Sequence, residues 1–144
     1  MTSLLLDTHA WIWLAAGDRR LAKHEKLVQR AAEASNLLLS AASIYEAALI
    51  GNETERGERR GRQAVKMRPT VAFWIRDALQ GTRATVVPLD GDTAMSAASY
   101  SGMHGDPIDR VIVATAVSTG TRLVTADTKI IAFAKEAGLD LLEL

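Results

Sequence analysis

The sequence predicts an α/β protein, a three-layer α/β/α sandwich around a central parallel sheet. Two observations carry this expectation. Short apolar runs alternate along the chain with longer segments of helical length. The runs themselves, at residues 4–6, 37–39, 85–87, 123–124 and 141–142, are continuous rather than alternating. That is the pattern of parallel strands buried on both faces.

The elements follow in order. Leu4, Leu5 and Leu6 form the first strand, and residues 8–16 the first helix, with Asp7 or Thr8 available as its cap. Helices are then expected over residues 21–34, 41–50, 71–80, 91–100, 107–119 and 129–137, each long enough for a right-handed crossover. Asp106-Pro107 is a helix start, with aspartate as cap and proline at the first helical position. Gly120 and Gly138 each follow a helical stretch, where a left-handed cap favours glycine. Residues 51–69 differ. Gly51, Gly57 and Gly61 punctuate a charged, apolar-poor stretch that reads as an exposed, mobile excursion.

Composition narrows the class. The 144 residues suit one domain spanning 1–144, and a hydrophobic share of 48% is enough for a real core. There are no cysteines, which excludes disulfides and thiolate metal sites and fits a cytoplasmic location. A first strand beginning by residue 4 leaves no room for a signal peptide, and no apolar run suits a membrane span. Formal net charge is zero, so any basic footprint for nucleic acid must be local.

Four acids stand out. Asp7 ends the first strand, Glu46 lies early in the helix after the second, Asp109 opens the helix at 107–119, and Asp127 follows Leu123-Val124. Each has an ordinary structural reason to be there. Asp7 and Asp127 can cap helices, Ser43 and Glu46 match a capping box, and Asp109 favours the dipole of its helix. Jointly they say more. With strand order 3-2-1-4-5, Asp7 and Asp127 end neighbouring central strands at the switch point, where open parallel sheets collect their chemistry. Glu46 sits among Ile44, Ala47, Ala48 and Leu49, and Asp109 precedes Val111-Ile112-Val113-Ala114, so both need a counter-charge. Clustered carboxylates without cysteine or paired histidines point to a hard cation, Mg²⁺ or Mn²⁺.

Four motifs in order, Leu4-Leu5-Leu6-Asp7-Thr8-His9-Ala10-Trp11, Ser43-Ile44-Tyr45-Glu46, Gly105-Asp106-Pro107-Ile108-Asp109-Arg110 and Leu123-Val124-Thr125-Ala126-Asp127, resemble those of PIN-domain ribonucleases. The group most similar is the VapC-type toxins of toxin–antitoxin pairs. The resemblance implies a PIN fold, Mg²⁺- or Mn²⁺-dependent endonucleolytic cleavage of RNA, and inhibition by a small antitoxin. By position, Asp7, Glu46, Asp109 and Asp127 match the family's acidic quartet, as catalytic residues and metal ligands. Thr125 matches its usual Thr or Ser. A homodimer is expected as well. One departure is Ile50, where many relatives carry lysine.

The chemistry fits the residues. Phosphodiester cleavage needs charge neutralised on the phosphate and a water activated, and a divalent ion supplies both. Mg²⁺ takes few protein carboxylates, which makes Asp7 and Asp109 the first-choice ligands. Thr8, Thr125 and Arg110 are candidates to contact substrate, as are Arg59, Arg60 and Arg62 in a basic concentration that also holds Arg56, Lys66 and Arg68. That concentration reads equally as a solvated loop. His9 adjoins the site, His104 reads as loop surface and His24 as solvated. Of Trp11 and Trp13, one is expected in the core, while the other suits a partner or dimer surface. Rival readings are a PIN nuclease of RNA processing, a non-catalytic RNA- or protein-binding module, and a phosphoacceptor domain using Asp7. The last leaves Glu46 without a role.

Overall fold

A computed structural model describes residues 2–144. Among them the chain forms five strands and seven α-helices. In order these are β1 (Leu4–Leu6), α1 (Thr8–Ala16), α2 (Glu25–Glu33), β2 (Leu37–Ser40), α3 (Ala41–Glu55), α4 (Val71–Thr82), β3 (Thr85–Val87), α5 (Gly91–Ser99), α6 (Pro107–Thr119), β4 (Arg122–Thr125), α7 (Thr128–Glu136) and β5 (Leu141–Glu143). The sheet is wholly parallel with order β3-β2-β1-β4-β5, as the sequence predicts. β1 lies at the centre, Leu4 opposite Leu37 on one side and Arg122 on the other. Strand order therefore reverses across β1 and β4, which places their carboxyl ends side by side at the switch point.

Alternation within each strand builds the three layers. Leu4, Leu6, Leu37, Leu39 and Val124 face one core with Trp11, Val28, Ile50 and Ile75, from α1 to α4. Leu5 and Leu123 face the other with Ile112, Val113, Ala116 and Ile130, from α6 and α7. Trp11 is fully buried, its indole N–H donating to Thr82 Oγ1 at 3.1 Å and its ring edge-on to Trp74. Trp13 is half-buried, with the Arg20 guanidinium 4.3 Å from its ring centre.

The structure corrects several local expectations. The segment at 21–34 is not one helix. A 3-10 turn runs from Arg19 to His24 before α2 begins at Glu25. The helix expected over 41–50 continues to Glu55. The excursion after it is tied down, because the buried Met67 packs on Gly51 and Val65 N–H donates to Thr54 Oγ1 at 2.9 Å. His24 is half-buried rather than solvated, its Nε2 lacking a hydrogen-bond partner. No helix among the described residues is long and apolar enough to cross a membrane.

Candidate metal-dependent nuclease site

Asp7 is placed by β1 and held by two neutral donors. Its extended backbone ends the strand, its Oδ1 accepts Ala10 N–H at 2.8 Å as the cap of α1, and its Oδ2 accepts the Thr125 hydroxyl from the end of β4. The cap role foreseen for Asp7 is real, so one carboxylate serves both the helix and the switch point. Only 6% of Asp7 is exposed. Burial pushes its carboxyl up to about 6, against the lowering effects of Thr125, the Ala10 N–H and His9, while Asp109 adds repulsion.

Thr125 is fully buried and joins both sides of the switch point. It donates to Asp7, and its oxygen accepts Asp127 N–H at 3.0 Å. Thr125 thus links the two acids from within the fold. Asp127 is exposed and caps α7, accepting from Lys129 and Ile130 N–H at 2.9 and 3.0 Å. Thr8 is buried and its hydroxyl has no partner, so its expected contact with substrate is blocked from solvent in this conformation.

The second group of acids comes from α3 and α6. The capping box expected from Ser43 and Glu46 does not form. Ser40, directly before α3, is the cap and accepts Ala42 N–H at 3.1 Å. Ser43 is buried with its hydroxyl unpartnered, and Glu46 is left half-buried and available. Asp106 caps α6 through Ile108 and Asp109 N–H at 2.9 and 3.2 Å. Carboxylate oxygens of Glu46, Asp106 and Asp109 all lie within 4.8 Å of one another. Asp106 was expected only as a cap. The signal that adds it is its spacing, since a cap and the third helical residue share one turn.

Asp109 is the hub. It is half-buried, and burial raises its carboxyl above the ordinary range. His104 partly offsets this, while Asp106, Asp127 and Glu46 add repulsion. Two carboxylates at this spacing repel by roughly 3 kcal/mol at an effective dielectric of 20. Asp109 thus feels Asp7, Glu46 and Asp127 at once, although Asp7 and Asp127 stand outside the tightest trio. The hard oxygen donors of that trio fit Mg²⁺ or Mn²⁺.

A cleft of about 380 Å³ opens over these acids, lined by His104, Gly105, Asp106, Asp109, Asp127, Thr128 and Lys129. His104 is not loose surface. Its Nε2 lies 2.7 Å from Asp109 Oδ2 and its side chain is 19% exposed. Lys129, unmarked by the sequence reading, brings a positive side chain to the cleft. Ile50 is buried in the core.

Arg110 also departs from expectation. Its guanidinium donates to four backbone carbonyls, those of His104, Ala97, Tyr100 and Met103, at 2.9 to 3.2 Å. Four of its five donors are thereby engaged, and it clamps the loop before α6 instead of facing substrate. In the basic segment, Arg59 pairs with Glu53 at 2.9 Å, Arg68 with Glu55 at 2.8 Å and Arg56 with Glu58 at 2.8 Å. Arg60 and Arg62 are exposed.

Comparison with known proteins agrees with this architecture. The PIN domain family model matches residues 4–136. The chain is 33% identical to Ribonuclease VapC22 of Mycobacterium tuberculosis over 130 residues, 90% of this chain and 91% of that protein. Among solved structures, VapBC2 from Rickettsia felis bound to a promoter DNA fragment superposes with a TM-score of 0.68 at 13% identity, covering 97% of each chain. DNA-bound VapBC from Salmonella typhimurium gives 0.62 at 17% identity, covering 99% of this chain and 98% of that one. The likeness to both is one of fold. With the family model spanning almost all of the sheet and its helices, the chain belongs to the PIN-domain family, among the VapC-type ribonucleases.

Proposed function

We propose that residues 1–144 act as one PIN domain that cleaves RNA endonucleolytically with Mg²⁺ or Mn²⁺, as the toxin of a toxin–antitoxin pair. The observation that carries the reading is the convergence of Asp7, Glu46, Asp109 and Asp127, with Asp106, from four different elements onto one edge. Among the described residues, no lysine or arginine forms an ion pair with any of them. Helix caps alone would have no reason to crowd together at such electrostatic cost.

In this reading Glu46, Asp106 and Asp109 hold the cation. When bound, it supplies charge neutralisation for the phosphate and acidifies a water. Asp7 and Asp127 complete the anionic field, and Thr125 keeps both in place. Lys129, at the rim of the cleft, meets a phosphate of the RNA backbone. Arg60 and Arg62 extend the contact.

The antitoxin partner is carried by the named likeness to VapC22 and supported by the fold shared with VapBC complexes. A homodimer belongs to the same reading, supported by Tyr45 and Leu49, exposed one turn apart on α3. Sedimentation of the purified chain decides it, and a monomer at working concentration would rule it out.

The decisive experiment is cleavage of a mixed RNA pool. Activity should appear with Mn²⁺, disappear with EDTA, and be lost in Asp109→Asn. Full cleavage in EDTA, or in that variant, would sink the assignment.

A further inference from the structure

We propose that His104 is a positioning residue for the cation-binding carboxylate Asp109. The idea rests on the reading of Asp109 as a ligand, and it concerns a residue that the acidic motifs do not include.

Three observations build it. First, the imidazole is in place: Nε2 is 2.7 Å from Asp109 Oδ2, and both side chains are mostly buried, 19% and 16% exposed. Second, its backbone is fixed from two sides. Met103, next in the chain, is buried in the α6–α7 core, and the His104 carbonyl accepts Arg110 Nε–H at 3.0 Å. Arg110 neighbours Asp109 on α6, so a single helical turn sets both the ligand and the loop that steadies it. Third, His104 Nδ1 is buried with no partner. Nε2 is therefore the ring nitrogen that meets Asp109, and it can serve as the donor of that bond.

The chemistry follows. One oxygen of Asp109 is held by the imidazole Nε2, and the other remains for a cation. The bond fixes the rotamer of the carboxylate and leaves that second oxygen unengaged. Other carboxylates on this edge are steadied in the same way: Asp7 by Thr125, Asp106 by the N-terminus of α6. Losing such an outer partner typically weakens metal affinity ~10–100-fold.

Two substitutions separate hydrogen bonding from packing. His104→Phe keeps a ring of similar volume and removes the donor. His104→Gln keeps a donor near the Nε2 position and removes the ring. Mn²⁺ binding is measured by calorimetry and by the rise in melting temperature, for parent and both variants, each first characterised without metal. The expected result is weakened binding in the Phe variant by that factor and near-parental binding in the Gln variant. In RNA cleavage, the Phe variant should need more Mn²⁺ for half-maximal rate and recover at saturating Mn²⁺. Parental or tighter binding by the Phe variant overturns the proposal. So does a Gln variant as weak as Phe, since the ring and not the bond would then matter. If the Phe variant does not fold, the Gln variant decides alone: near-parental affinity upholds the hydrogen bond, and a loss on the Phe scale overturns it. A parent that binds no Mn²⁺ is a different failure, one that removes the cation site itself.

Discussion

The arginine-rich stretch after α3 and the acidic edge of the sheet handle charge in opposite ways. Between Glu53 and Arg68, acids and bases are neighbours in sequence and find each other. Glu53, Glu55 and Glu58 each take an arginine of the same segment. At the sheet edge the acids arrive from β1, α3, α6 and α7, and their donors are hydroxyl, imidazole and backbone N–H groups. Local charge is thus neutralised as the chain is laid down, while charge gathered by topology stays uncompensated. The second condition is the one a cation can exploit, because an ion binding only the folded state stabilises it by mass action.

This contrast can be broken at either end. The largest effect should be Asp109→Asn, with RNA cleavage falling roughly 1000-fold, about 4 kcal/mol in the barrier, while far-ultraviolet circular dichroism is unchanged. A loss below tenfold would place the chemistry elsewhere.

Next is Met67→Ala. Met67 is the apolar anchor that seats the charged segment on Gly51, and its loss should cost roughly 3 kcal/mol in urea unfolding. A change within error would return the segment to a free excursion.

Third is Asp7→Asn in EDTA. Burial raises the Asp7 carboxyl from 3.8 to about 6, so the folded state binds this proton more tightly than the unfolded chain does. That contribution to stability is full below 3.8 and is lost as pH rises through about 6. Asparagine still caps α1 but carries no buried charge. The variant should therefore exceed the metal-free parent by roughly 3 kcal/mol at neutral pH, a gap that closes below about pH 4. Mn²⁺ should raise the melting temperature of the parent more than that of the variant. A gap that widened on acidification would contradict the buried charge.

The smallest effect should be Arg59→Ala, under about 1 kcal/mol, because the pair with Glu53 is partly exposed and screened. A clearly larger loss in chemical unfolding would show that local pairing holds the segment in place.

Much of this was legible in the sequence. The continuous apolar runs pointed to a parallel sheet, whose order came with the family resemblance; the full burial they imply holds for β1 at the centre but not for the edge strands β3 and β5. The four acids followed from their places after strands and at helix starts. What escaped depends on contacts between residues that look ordinary alone. Ser43 and Glu46 match a capping box, yet Ser40 stands directly before α3 and takes the cap. Met67 is a lone apolar residue in a charged run, and nothing nearby announces its pocket. His104 reads as loop because its role depends on Arg110 folding back onto four carbonyls. Arg110 itself, beside an acidic ligand, looks like a phosphate contact until its donors are counted.

The bond between Thr125 and Asp7 spans 118 residues of sequence. Asp7 is synthesised well before its partner. Until β4 emerges, β1 lacks one of its two neighbours and the buried carboxylate lacks its hydroxyl donor. The acidic edge is therefore incomplete until β4 has been made. Strand order thus makes the acidic edge a late product of synthesis, closed only when β4 can pair with β1.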